Sequence, residues 1–517
     1  MSEHRFAASV ANIKHWFRED VEKAVDLVGG PARLQVIVLL ACVLGLDAGD
    51  KATVGAIAVK LEQAFGIGNV QIGLLVTAST AIGAFATLPL GILADRVRRV
   101  RLLTIAVVVW SLAMAVSGAS TSYLMLLLTR LALGAIVATA APTVASLIGD
   151  FFRPKERGRI YGFILTGELI GAAFGFVISG DVADALSWRA SFWVLAVIGF
   201  AIAAALWLWL PEPARGGQSR MKPGATAIPS ADESTDAEPG DPAQTAQDAG
   251  RSDGRVEEEI KEAEISPDRP LVLHEDPTHM SWLRAAWYIL SIRTNLLIIL
   301  ASALGYFYLT GLRTFGVVYI RARFGLGQSE ATSILVAIGI GAIVGVLVIG
   351  RASDWMIDRG HFNARIWAGA ISFLIAAGFF LPGFLVPSLG AAAVLFFFGA
   401  VGVGGVNPPM DAARLDIMHS RLWGRAESVR SSLRYAFEAI APMVFGYVST
   451  LFGGSGGAFR QAAGHGNSNT GAGLGPTLLI MLIVLIGAGV CLFFALPTYA
   501  EDVATAMESE ENTESGR

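Results

Sequence analysis

Apolar runs of roughly 20 residues, long enough to cross ~30 Å of hydrocarbon as a helix, recur along this chain. Twelve are found, in two sets of six. The first set covers about 34–58, 70–92, 102–120, 123–148, 159–180 and 190–210, and the second about 295–319, 329–350, 365–386, 388–410, 427–452 and 475–496. Five segments follow: an N-terminal amphipathic stretch (1–33), a six-helix half (34–210), a polar linker (211–280), a second six-helix half (281–497) and an acidic tail (498–517). The linker is rich in Pro, Gly, Ser, Asp and Glu and poor in aromatic residues. Such a stretch buries too little apolar surface to order itself and is expected to be disordered. The stretch SWLRAAWYILSIRT after it reads as a surface helix, and FGGSGGAFRQAAGHGNSNTGAGLGPT, between the last two spans, as a flexible loop.

Composition agrees with the pattern. The 517 residues are 54% hydrophobic and 16% charged, whereas a soluble chain carries about a quarter charged residues. The chain is read as an all-α integral membrane protein. Its two cysteines, Cys42 and Cys491, lie far apart in apolar runs and suggest neither a disulfide framework nor a metal site. The net charge of −4 comes largely from linker and tail, and the polar N-terminus is no signal-peptide core. Arginine and lysine crowd the loops after spans 2, 4, 8 and 10, which predicts cytoplasmic termini and linker. The bias for Arg over Lys and for Ala and Gly suggests a bacterial chain of the plasma membrane.

The halves repeat. GILADRVRRVRLL from Gly91, after span 2, and GRASDWMIDRG from Gly350, after span 8, both place an Asp four residues beyond a Gly, at Asp95 and Asp354. TGELIGAAFG around Glu168 in span 5 parallels AFEAIAPMVFG around Glu438 in span 11. A duplicated six-span unit marks a transporter whose halves rock about a site at their interface.

Ionisable groups inside spans are costly, and they usually face a water-filled path. Span 1 carries Asp47, Asp50 and Lys51, all on much the same side of a helix. Asp50 is the leading candidate for proton binding and Asp47 the second, with Lys51 as charge partner or anchor for an anionic group. Arg130 and Glu168 are assigned to the transport path. Arg434 and Glu438, four residues apart, serve either that path or a local ion pair. NPPMDAARLD, from Asn407, is expected to break span 10 near its cytoplasmic end.

The loop after span 2 resembles the signature of the major facilitator superfamily, G-x-L-x-D-R-x-G-R-R-x-x-L, at Gly91, Leu93, Asp95, Arg96, Arg99 and Leu103. It departs from the signature at Arg98 and Val100. The resemblance implies a major facilitator fold of two pseudo-symmetric halves. It also implies a cytoplasmic latch formed by Gly91, Asp95, Arg96 and Arg99, with Gly350 and Asp354 as the repeat. Asp47, Asp50 and Lys51, with RLALGAIVATAAPTVASLIGDFF from Arg130, further resemble the Spinster-like branch, although Val137 stands where that branch tends to have Glu. Gly162, Gly171, Gly175 and Gly180 partly match an antiporter motif, and close helix packing is the other reading of those small residues.

These features lead to a secondary transporter exporting a small amphiphilic, lipid-like or drug-like molecule by proton antiport. The alternative is proton-coupled uptake of a small organic anion or sugar. Expected partners are substrate, protons and the bilayer, with no cofactor, metal or nucleic acid, and the chain is read as a monomer. No nucleophile and base, metal cluster or phosphate loop points to an enzyme. A non-transporting sensor or scaffold would tolerate a charge-free interior, which this chain does not have.

Overall fold

The computed structural model describes residues 25, 28–152, 154–213, 221, 224–229, 256, 260–261, 263, 265–277, 280–454, 471 and 473–515. Twelve of its helices are long and apolar enough to cross a membrane. They keep the span numbers used above. Spans 1 to 3 are Pro31–Phe65, Asn69–Arg96 and Arg99–Gly118, and span 4 is a pair of helices, Tyr123–Val137 and Ala140–Phe151. Spans 5 and 6 are Pro154–Ala185 and Trp188–Trp209. In the second half, spans 7 to 9 are Arg293–Phe324, Gln328–Ile357 and Ala364–Leu385. Span 10 is again a pair, Leu389–Gly405 and Asn407–Asp416, and spans 11 and 12 are Trp423–Gly454 and Leu474–Ser515.

Helices form because the bilayer leaves each backbone N–H and C=O no partner outside its own segment, and the turns between them carry their own stop and start signals. Gly66 ends span 1 and Gly325 ends span 7 in the left-handed conformation, each N–H closing on a carbonyl of the last turn. Ser122, Ser187 and Ser388 cap the starts of spans 4, 6 and 10 through their hydroxyls. Span 10 breaks at Val406, and Pro408 and Pro409 open the following helix, where their missing N–H groups cost nothing. Span 4 breaks at the equivalent place, Ala138–Thr139.

The repeat seen in sequence is also a repeat of packing. Spans 1 and 5 pack together as spans 7 and 11 do, and spans 3 and 6 as spans 9 and 12 do. An ion pair recurs with them: Arg99 at the start of span 3 binds Asp150 at the end of span 4, and Arg365 at the start of span 9 binds Asp416 at the end of span 10. Both pairs are buried, and each links residues 51 apart.

The halves meet through spans 2 and 11, 5 and 8, and 1 and 7. The hydrogen bonds seen between them lie near the end of the bundle opposite the linker, here called the turn end. Asn69 donates to Ser449 at 2.9 Å, Gln328 to the Ala56 carbonyl at 2.6 Å, and Ser329 to Asp181 at 2.6 Å. Glycines allow the approach. A Cβ on Gly73 would lie 2.3 Å from the Pro442 carbonyl oxygen, and one on Gly446 would lie 2.6 Å from that of Asn69.

The polar segments need a correction. Part of the linker expected to be disordered is ordered, because it finds partners on the second half: the Asp268 and Leu273 N–H groups donate to Thr505 and Ser509, and Asp276 binds Arg421. Span 12 continues as one helix through the acidic tail to Ser515, burying Val503, Ser509 and Thr513. Trp282–Ser291 is the expected surface helix, capped by Ser281. The N-terminal stretch before residue 25, much of the linker and most of the loop between spans 11 and 12 lie outside the described residues.

Candidate functional site

Charged side chains gather where spans 1, 5, 7 and 11 face one another. Spans 1 and 5 are pressed together by a seam of glycines, since a Cβ on Gly171 would lie 2.2 Å from the Gly45 Cα and one on Gly175 would lie 2.3 Å from the Gly49 Cα. Gly171 and Gly175 thus serve helix packing, one of the two readings of the partial antiporter motif, and Gly180 lies against Gln328 and Thr332 of span 8. The seam holds Glu168 of span 5 beside the charged turn of span 1. Glu168 lies within electrostatic reach of Lys51 and Asp47 in its own half and of Arg313 and Arg434 in the other.

The three charges of span 1 divide between two environments. Lys51 donates to Asp47 at 2.7 Å, one turn away, and its side chain is half exposed. It also lies within electrostatic reach of Tyr435 across the interface. Asp50 points elsewhere. It accepts a 2.7 Å bond from Arg130 of span 4, and both side chains are nearly fully buried in the first half. The expectation that all three charges face the space between the halves is corrected for Asp50, because three residues advance a helix by about 300° rather than a full turn. Those 60° suffice to turn Asp50 toward span 4. Arg130, which has no acidic neighbour on its own helix, also lies over the Phe192 ring at 4.9 Å.

On the other half, Arg434 pairs with Glu438 at 3.2 Å. Its guanidinium lies 4.5 Å from the Tyr306 ring centre and 4.9 Å from that of Tyr435, a cation–π arrangement that holds the charge without a second carboxylate. Tyr306 and Arg313 are seven residues apart and share a face of span 7. About two turns closer to the linker, Glu427 bridges Arg414 at 2.6 Å and Arg430 at 2.7 Å, and Asp411 lies 3.2 Å from Arg414. Sequence reading singled out neither Tyr306, Tyr435 nor Glu427. The two tyrosines stand next to, or on the face opposite, the charged residue that drew notice, and an aromatic residue in a span carries no signal of its own.

The latch residues are partly placed. Arg99 is spent within its own half on Asp150, while Glu212 accepts from the backbone N–H groups of Arg99 and Val100 at 2.6 and 3.0 Å, capping span 3. The side chains of Asp95 and Arg96 lie outside the described residues, and Gly91 is known only as helical backbone of span 2. Asp354 is exposed, and Gly350 lies against Pro408 of span 10. Among the described residues no group of three or more His, Cys, Asp or Glu side chains is arranged to hold a metal.

The family model described as "Major Facilitator Superfamily" matches residues 39–442. The chain belongs to this superfamily. It is a multi-pass membrane transporter, and the relatives it is similar to are transporters rather than enzymes. A "Gallate transporter" of Pseudomonas putida is 26% identical over 490 residues, covering 92% of this chain and 91% of that protein. A "4-hydroxybenzoate transporter" of the same species is 29% identical over 181 residues, 35% of this chain and 40% of that one. Among solved structures, a "Bacterial Homolog to Human Lysosomal Transporter, Spinster", in an inward-facing and occupied conformation, gives a TM-score of 0.67 at 20% identity. The alignment covers 91% of this chain and 98% of that one. The Spinster-like resemblance read from span 1 therefore extends to the whole fold, and at that identity the likeness concerns the fold alone.

Proposed function

We propose that the chain carries a small aromatic carboxylate across the plasma membrane, inward and with protons, by alternating access. One observation carries the reading: Arg434, flanked by the Tyr306 and Tyr435 rings, and Lys51 of the other half both lie within electrostatic reach of Glu168. A carboxylate recognised by these two cations bridges the halves, and an aryl ring packs on the tyrosine faces. The likeness to a gallate transporter over 92% of the chain supports this substrate class. Of the two readings open to the sequence, uptake of an organic anion is favoured over export of a lipid-like molecule. A long acyl chain would have to lie among six ionisable side chains, Lys51, Asp47, Glu168, Arg313, Arg434 and Glu438, at a cost that an anion does not meet.

The linker end, with both termini, is taken as cytoplasmic, as its arginines require. The contacts of Asn69, Gln328 and Ser329 at the turn end are then the closed outer gate, and Gly91, Asp95, Arg96, Gly350 and Asp354 belong to the inner one. A monomer suffices for this cycle, since both halves of the site come from one chain.

The test is uptake of radiolabelled gallate and 4-hydroxybenzoate into proteoliposomes with an alkaline interior. Accumulation is expected for at least one of them, and Arg434→Gln is expected to weaken binding by about tenfold or more, the loss of one charge-assisted contact. No accumulation of any aromatic acid, or transport of a lysophospholipid in its place, would refute the proposal.

A further inference from the structure

The charges between the halves balance, and among the described residues one acid and one base of the group, Glu168 and Arg313, have no ion pair. Lys51, Arg313 and Arg434 are the basic groups around Glu168, and Asp47, Glu438 and Glu168 itself are the acidic ones. Asp47 is held by Lys51 at 2.7 Å and Glu438 by Arg434 at 3.2 Å. Asp50, behind them, is held by Arg130 at 2.7 Å. Among the described residues Glu168 has neither a salt bridge nor a hydrogen bond, although it stands where all three cations reach it. With Glu168 ionised the site is neutral and gains little from an anion. With Glu168 protonated the same site carries one net positive charge and one carboxyl O–H, and both suit a carboxylate.

We infer that Glu168 carries the coupled proton, so that each carboxylate anion binds together with one proton. The inference rests on the proposed substrate class and adds to it the coupling group and the stoichiometry. Asp47, Asp50 and Glu438 are unsuited to the role because each would have to abandon an ion pair in order to take up a proton. Among the described residues the charges on the other elements packed against span 5 are engaged elsewhere or lie at its ends, as Asp150 of span 4 does in its pair with Arg99. On span 8, Glu330 lies in the first turn at the turn end, and on span 6 Arg189 donates to the Ser120 carbonyl, also at the turn end. One proton per monoanion makes the cycle electroneutral, so accumulation follows the pH gradient and not the membrane potential.

The experiment measures binding of radiolabelled 4-hydroxybenzoate, whose carboxylate stays ionised through the neutral range, to purified protein as a function of pH. In the wild type, affinity is expected to fall by about tenfold per pH unit above the titration of Glu168, the slope of a single linked proton. Glu168→Gln imitates the protonated acid and is expected to bind with an affinity independent of pH. In proteoliposomes that variant is expected to keep counterflow and lose accumulation driven by a pH gradient, while a potassium diffusion potential leaves wild-type accumulation unchanged. Glu168→Asp is expected to restore the pH slope, which separates the role from a merely structural one. Wild-type slope retained in Glu168→Gln, or wild-type binding without a slope, overturns the assignment and leaves the substrate class standing. Absence of aromatic-acid binding by the wild type overturns both.

Discussion

Replacing Asp50 by Asn tests whether the buried pair with Arg130 is a structural element. The carboxylate and guanidinium are 2.7 Å apart, with side chains only 4% and 2% exposed. For charge centres about 4 Å apart at an effective dielectric of 20, the gross attraction is about 4 kcal/mol. Desolvation of both ions offsets much of that, so the pair need not outperform an apolar pair of equal volume. Removal of one partner has a different consequence. A neutral amide in place of the carboxylate would leave the Arg130 charge buried, supported only by the Phe192 ring at 4.9 Å, and breaking a buried pair in this way costs about 3–5 kcal/mol. Asp50→Asn is therefore expected to unfold at a clearly lower temperature than the wild type in detergent, followed by tryptophan fluorescence. The double variant Asp50→Leu with Arg130→Met is expected to recover most of the loss, giving a coupling energy of a few kcal/mol in the double-mutant cycle. If Asp50→Asn is as stable as the wild type while pH-driven transport disappears, Asp50 is a proton carrier and its placement as a structural partner of Arg130 is wrong.

Gly171→Leu is expected to destroy assembly of spans 1 and 5, because even a Cβ there would lie 2.2 Å from the Gly45 backbone, whereas Gly339→Ala, with open space around it, is expected to express and transport normally. The yield of monodisperse protein in size-exclusion chromatography reads both. A cross-link between cysteines at positions 69 and 449, introduced with Cys42 and Cys491 replaced, is expected to form readily, since the side chains it replaces are 2.9 Å apart. It should stop transport until a reductant is added, and undiminished transport by fully cross-linked protein would refute the outer-gate reading.

The sequence by itself determined the architecture. Spans, repeat and family follow from it because the bilayer imposes one rule on every segment, some 20 apolar residues with their backbone bonds closed internally, and because the loop after span 2 carries a recognisable order of residues. The break before Pro408 was legible for the same local reason, a missing N–H. Tertiary structure alone decided which charges meet. Asp50 and Arg130 are 80 residues apart, and only the packing of span 4 on span 1 reveals that they neutralise each other. That pairing moves attention from Asp50 to Glu168, whose isolation is a property of its neighbours and not of its own segment. Tyr306 and Tyr435 acquire meaning in the same way, through an arginine they flank in space. The linker shows the converse failure. Its composition reads as disorder because it lacks an apolar core of its own, yet residues 265–277 are ordered on a surface that span 12 supplies with Thr505 and Ser509. Local composition states what a segment can bury alone, and the fold decides what its neighbours bury for it.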